Sequence, residues 1–217
     1  MSHELEQGEV SVFFRPRVHG ADDFEILRGL EDVATVFLVL HPAGTRRFRR
    51  VLLGRKRLPL HGEREWARVE RVIDGEAALA ADLDLDVYET RTRGLRVSPA
   101  AIAAGGGSYV LATHDDHTHL RARLELPSLP GDLAGSFALR EDVDVIVTVR
   151  DPTRPDRPGT RGRRRKPRLP AALVESFGGR AYAPAVPELL DHEGVELVLI
   201  GVDEATEHAR AAIGEGD

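Results

Sequence analysis

Apolar and polar residues alternate along much of this chain, and a period of two marks a β-strand with one face buried. Strand-like segments, rich in β-branched and aromatic residues, run from Val10 to Arg15, Thr35 to Leu40, Phe48 to Leu53, Val87 to Thr92, Ser108 to Thr113, Thr118 to Leu126, Val143 to Arg150 and Val195 to Val202. Several are almost continuously apolar, as central strands are. Helical spacing is rarer. It spans Glu63 to Ile73, where Trp66, Val69 and Ile73 recur at turn-like intervals, then Glu76 to Leu83, Pro170 to Phe177, which a proline opens, and Glu204 to Ile213. Strands do not alternate regularly with helices, which disfavours a doubly wound parallel fold. The expected class is α+β: a mostly antiparallel sheet, curved or barrel-like, with a few covering helices. A length of 217 residues suits a single domain over 1–217, with residues 1–8 expected to be disordered.

Proline and glycine mark the turns. His41-Pro-Ala-Gly44 reads as a hairpin turn, and Gly105-Gly-Gly-Ser108, which lacks the Gly-Lys-Ser/Thr ending of a phosphate loop, reads as a flexible turn. A weak internal echo links Phe13-Phe-Arg-Pro16 and Leu30-Glu-Asp-Val33 with Ala181-Tyr-Ala-Pro184 and Leu190-Asp-His-Glu193. It predicts, in both places, a short strand, a proline-marked turn and a returning strand.

Tyr109 to Leu126 reads as a hairpin turning at Asp115-Asp116. With a two-residue loop, opposed residues keep a constant index sum, which sets His114 opposite His117 and Ala112 opposite His119. Alternation then places His114, His117 and His119 on one face with Arg121, Arg123 and Glu125, turned to water or a ligand. Tyr109, Leu111, Thr118, Leu120, Ala122 and Leu124 are left for the core. Neutral imidazole ligates zinc, iron or copper, so the first face is a candidate site for a divalent metal such as zinc. His114, His117 and His119 would be its ligands, with Glu125 or Asp116 in support. A solvated hairpin tip fits the same pattern. Asp-Asp is also a poorer match to a primed turn than Asp-Gly, and a three-residue loop with a bulge would move His114 off the shared face. His117-Thr-His119 followed by Glu125 resembles the cupin signature, in which two histidines and a downstream glutamate bind metal inside a β-barrel. The likeness is partial, because five residues separate His119 from Glu125 where that family usually has three or four. After Pro130-Gly131, moreover, no histidine stands where its second motif would place one, so a cupin is not expected.

Composition narrows the setting. Hydrophobic residues make up 41% and charged residues 30%, the balance of a chain that folds. No run of about eighteen apolar residues occurs, and Met1 to Glu9 is acidic where a signal peptide would be basic, so a cytoplasmic protein without a membrane segment is expected. Zero cysteines exclude disulfides, thiolate metal sites and cysteine nucleophiles.

Charge is distributed unevenly. Asp151 to Pro170 carries Arg154, Arg157, Arg161, Arg163, Arg164, Arg165, Lys166 and Arg168 against Asp151 and Asp156, a net +6 that leaves −12 for the rest of a chain of net charge −6. Five prolines and two glycines make this segment a mobile, extended loop in expectation. Such a patch could neutralise the phosphates of RNA or meet an acidic protein, and arginines at 46, 47, 49, 50, 55, 57, 91, 93 and 96 could extend it. The acidic remainder, the 5% aromatic content and the lack of a helix-turn-helix or zinc-finger spacing weigh against a wide nucleic-acid footprint.

Other constellations are weaker. Asp82-Leu-Asp84-Leu-Asp86 resembles half a calcium loop but has Val87 where the glycine belongs, and no Gly-x-Ser-x-Gly elbow occurs. Asp191 or Glu193 beside His192 forms a conceivable acid–base pair. Arg15-Pro-Arg17 and Gly54-Arg-Lys-Arg57-Leu-Pro59 suit either an anion site or a strand end whose guanidinium groups cover apolar neighbours. Taken in order, Phe13 to Val18, Leu30 to Val33, Gly54 to Pro59, Thr90 to Gly94 and His114 to Leu120 resemble a group of uncharacterised bacterial proteins of about this length. That resemblance implies one compact domain in a bacterial cytoplasm and supplies no activity. The functional expectation is a non-catalytic binding or scaffolding protein contacting an acidic macromolecule through its Arg-rich loop. The alternatives are a metal-dependent enzyme built on the histidine hairpin, and an RNA-binding protein.

Overall fold

The computed structural model of the chain describes residues 2–17, 29–90, 94–127, 129, 133–155 and 166–202, and in them the one-sided apolar strands hide their shared face by closing on themselves. β1 (Ser2–Pro16), β2 (Val33–Pro42), β3 (Arg47–Leu53) and β4 (Arg64–Asp74) form one antiparallel meander. Between it and the second meander lie helix α1 (Glu76–Leu83) and a separate hairpin of β5 (Asp86–Thr90) and β6 (Gly94–Ser98). β7 (Ile102–His114), β8 (His117–Glu125), β9 (Asp142–Arg150) and β11 (Glu196–Gly201) make the second. Pairing of β1 with β7 and of β4 with β11 joins the two into a closed eight-stranded barrel, antiparallel throughout. A short β10 (Tyr182–Pro184) adds to β9 beyond the point where β8 leaves it.

Alternate residues point inward: Val10, Val12 and Phe14 from β1, Leu38 and Leu40 from β2, Leu120 and Leu124 from β8, Val143 to Val149 from β9. Eight strands leave an interior that side chains can just fill. Here about 30 Å³ remains, bounded only by aliphatic groups. One end is closed by α2 (Leu133–Ser136) with Phe137, which packs on Phe14; the other is closed by α4 (Pro187–Leu190), whose Leu189 and Leu190 are buried. Outside the barrel, Phe37, Val39, Phe48 and Ile73 form a second apolar patch under Leu79 and Leu83 of α1.

The expectation of a mostly antiparallel, barrel-like sheet holds, while the helical part is slight: among the described residues, four short α-helices and one 3-10 turn. Helix α1 and the turn after His41-Pro42 stand where the pattern puts them, and α3 (Ala171–Glu175) begins just after Pro170. Three expectations are corrected. Residues 2–8, expected to be disordered, belong to β1 and pair with β7 and, at Gly8, β2. Glu63 to Ile73, expected to be helical, falls from Arg64 onward in strand β4, whose backbone groups are satisfied by β3 and β11. Gly105 to Ser108 lies within β7, where Gly107 has no room for a side chain: a Cβ would stand 1.9 Å from the Arg123 carbonyl oxygen. In the internal echo each proline ends a strand and a short helical turn precedes a returning strand, but β1 pairs with β2 whereas β10 and β11 both flank β9. The expected helix over Glu204 to Ile213 lies outside the described residues. No helix among those described is long and apolar enough to cross a membrane.

Candidate binding site

The β7–β8 hairpin has the expected register: His114 faces His117, Thr113 faces Thr118 and Ala112 faces His119. Its two-residue turn is made at Asp115, whose φ of 54° is the left-handed value that a primed turn requires. The imidazoles therefore gather, with ring centroids 4.9 Å apart for His117 and His119, 5.6 Å for His114 and His117, and 6.4 Å for His114 and His119. The face is less open than alternation implies, for His119 is buried. Its Nδ1 lies 2.7 Å from Oδ1 of Asp144 on β9, whose other oxygen accepts from Nε of Arg121 at 3.1 Å. Burial alone would raise the Asp144 pKa, but the His119 hydrogen bond and charge and the Arg121 guanidinium outweigh it and hold the carboxyl below its usual value. At the exposed tip, Asp116 sits 3.2 Å from Nδ1 of His117, whose hydrogen bond lowers its pKa as well.

A zinc-type site needs three or four donors about 2.0–2.2 Å from one point. Among the described residues no group of three or more histidines or carboxylates meets that need. Glu125 cannot contribute, since six residues of extended strand, roughly 20 Å, separate it from His119. The partner His119 does have, Asp144, was not among the sequence candidates. Its polar position between Val143 and Val145 is visible in the pattern, but only the β8–β9 register shows what it faces.

Other sequence candidates are spent on holding the fold. Inside the α4 end of the barrel, Arg49 is buried and binds both oxygens of Glu6, at 2.6 and 2.9 Å, and Asp191 at 2.7 Å. Burial works against its charge, but hydrogen bonds to Glu6 and Asp191 more than offset this and raise its pKa. Tyr109 donates to the same Glu6 at 2.7 Å, and burial together with that carboxylate pushes its phenol up. Arg47 also pairs with Asp191, while Glu193 accepts from the Val72 amide, so the Asp191–His192–Glu193 group anchors α4 to the wall. Of the half calcium loop, Asp82 is taken by Arg50 and Arg71, and the carbonyls of Asp82 and Asp84 by Arg15 at the C-terminus of α1. Around Gly54 to Pro59, Lys56 donates to Leu30 and Val33 carbonyls, with its pKa lowered by burial and then by Arg17. Arg55 binds Glu65, and Arg57 binds Glu63. The strand-end reading of these basic motifs is the one the contacts support.

Of the Arg-rich segment, Arg154, Lys166 and Arg168 are described; Arg157, Arg161, Arg163, Arg164 and Arg165 lie outside the described residues. The segment leaves the barrel from the end of β9 beside β10. There the Asp151 amide donates to Ala181 at 3.0 Å, the Asp151 carboxylate holds Thr153, Arg150 reaches Pro155, and Arg154 reaches Gly179. On the adjoining outer wall stands an aromatic pair that the sequence does not join: Trp66 of β4 and Tyr182 of β10, centroids 6.4 Å apart and planes inclined at 47°. Comparison with protein-family models, curated proteins and solved structures gave no match, so nothing in them bears on the resemblance to a bacterial group.

Proposed function

We propose that this is a non-catalytic binding protein that holds an acidic macromolecule on the outside of its barrel through the Arg-rich segment 151–170. The reading is supported by the barrel interior, whose 30 Å³ is far below the few hundred Å³ of small-molecule sites. Recognition then falls to the surface. The observation that carries it is the anchoring of residues 150–155: these contacts fix the start of a segment of net charge +6 beside β10, on a chain otherwise acidic. A cationic segment whose start is fixed to the barrel wall, with negative charge elsewhere, selects polyanions and repels unspecific acidic surfaces.

The test is anisotropy of labelled heparin against salt. Binding should weaken linearly in log–log form, because each neutralised anionic group releases counterions. Replacing Arg157, Arg161, Arg163, Arg164 and Arg165 by Gln should lower affinity by about tenfold or more without moving the melting temperature. A variant that binds as tightly as the natural chain would remove the segment from the function.

A further inference from the structure

Building on that reading, we infer that the acidic macromolecule is single-stranded nucleic acid, whose bases stack on Trp66 and Tyr182 while arginines along the same wall take the phosphates. Inward positions on β4 are Glu65, Ala67 and Val69, so Trp66 and Arg68 point outward. Tyr182 pairs directly with Arg150 and is 43% exposed. At 47° the two rings do not lie face to face on one another. Cations bracket them: Arg68 is the next outward residue on β4, and Arg150 shares a face with Tyr182. Arg68 holds Glu70 at 3.4 Å, and Arg150 holds Glu196 at 3.5 Å as well as the Pro155 carbonyl; a guanidinium has five donors, and those that remain can meet phosphate.

Beside Trp66 runs a groove of about 270 Å³, lined by Leu52, Gly54, Arg55, Glu65, Trp66 and Arg68. Gly54 is required there, since its amide donates to the Trp66 carbonyl at 2.7 Å and a Cβ would stand 2.6 Å from that oxygen. The buried Glu65 carboxylate holds Nη1 of the largely exposed Arg55 at 3.1 Å, fixing a cation at the groove. Arg55, Arg68, Trp66, Tyr182 and Arg150 thus set cations and aromatic faces side by side on one wall, and a single strand likewise alternates phosphates with bases. An acidic peptide would use the arginines and gain no base stacking from the two rings, and a duplex keeps its bases stacked on each other.

Trp66 is the chain's single tryptophan and so reports on its own site. The full chain is titrated, at about 50 mM salt, with heparin and with an oligothymidylate of about twelve residues. Tryptophan emission should be quenched by the oligonucleotide and not by bound heparin. Tyr182→Ala should weaken oligonucleotide binding about tenfold, with heparin binding and melting temperature unchanged, and Tyr182→Phe should restore it. Heparin binding with no oligonucleotide quench and no effect of Tyr182→Ala overturns the nucleic-acid inference, leaves the Arg-rich segment its role and points to an acidic protein. Failure of both ligands to bind overturns both.

Discussion

His119 and Asp144 make the most tightly determined polar contact on the hairpin: both are buried, they meet at 2.7 Å, and Arg121 completes the carboxylate. Removing one member of a buried charged group leaves the others desolvated without compensation, which costs more than the group contributes net. Asp144→Asn should therefore destabilise the fold by about 3 kcal/mol at pH 7 in urea titrations. The native pKa of Asp144 is depressed, so its contribution is present in full above the unfolded value of about 3.9 and disappears as pH falls through the native one. The gap between natural chain and variant should narrow below about pH 3.9; an equal loss at pH 7 and pH 2 would mean that packing, not charge, is what Asn disturbs. Three of the four proposed ligands were legible as neighbours, because alternation and a fixed index sum are local rules. Asp144 was not, since nothing local announces which residue of a distant strand lies diagonally across.

At the level of elements, the β7–β8 turn places a non-glycine residue at positive φ, where an L side chain crowds its own backbone. Asp115→Gly should raise stability by about 0.5–1 kcal/mol, the relief less the added freedom of the unfolded chain. A lower melting temperature would show that the Asp115 carboxylate, 3.4 Å from His114, contributes more than the strain removes. Gly107→Ala runs the other way. Its Cβ would meet a backbone oxygen of the paired strand, and the loss should reach about 3 kcal/mol or more, seen as a cooperative shift in denaturant midpoint. The misreading of β4 has a similar geometric origin. Arg50 pairs with Arg71 but Val51 with Val69, so Glu70 is an extra, bulged residue. The inward set runs Ala67, Val69, then Val72, while Ile73 turns outward beneath α1. The helix-like spacing of Trp66, Val69 and Ile73 thus joins two outward residues to an inward one: apolar side chains on both faces of the strand mimic one face of a helix, and the inward-facing Glu65 hides the alternation.

For the molecule as a whole, the barrel strands other than β4 were legible and closure was not. Each strand pattern says which residues turn inward, but whether β4 meets β11 and β8 meets β9 depends on twist and stagger accumulated around eight strands. Closure yields a packed interior in place of a lumen. The natural chain should accordingly show no change in melting temperature with benzene or a medium-chain fatty acid. Leu199 points into the small residual space between the two meanders. Leu199→Ala should cost about 3–4 kcal/mol, the transfer term plus the cavity it leaves. Benzene should recover part of that loss, since a dry apolar cavity of about 150 Å³ binds it. Benzene stabilising the natural chain as much as the variant would reveal a larger interior, and the barrel would then be a small-molecule carrier whose outer wall is incidental.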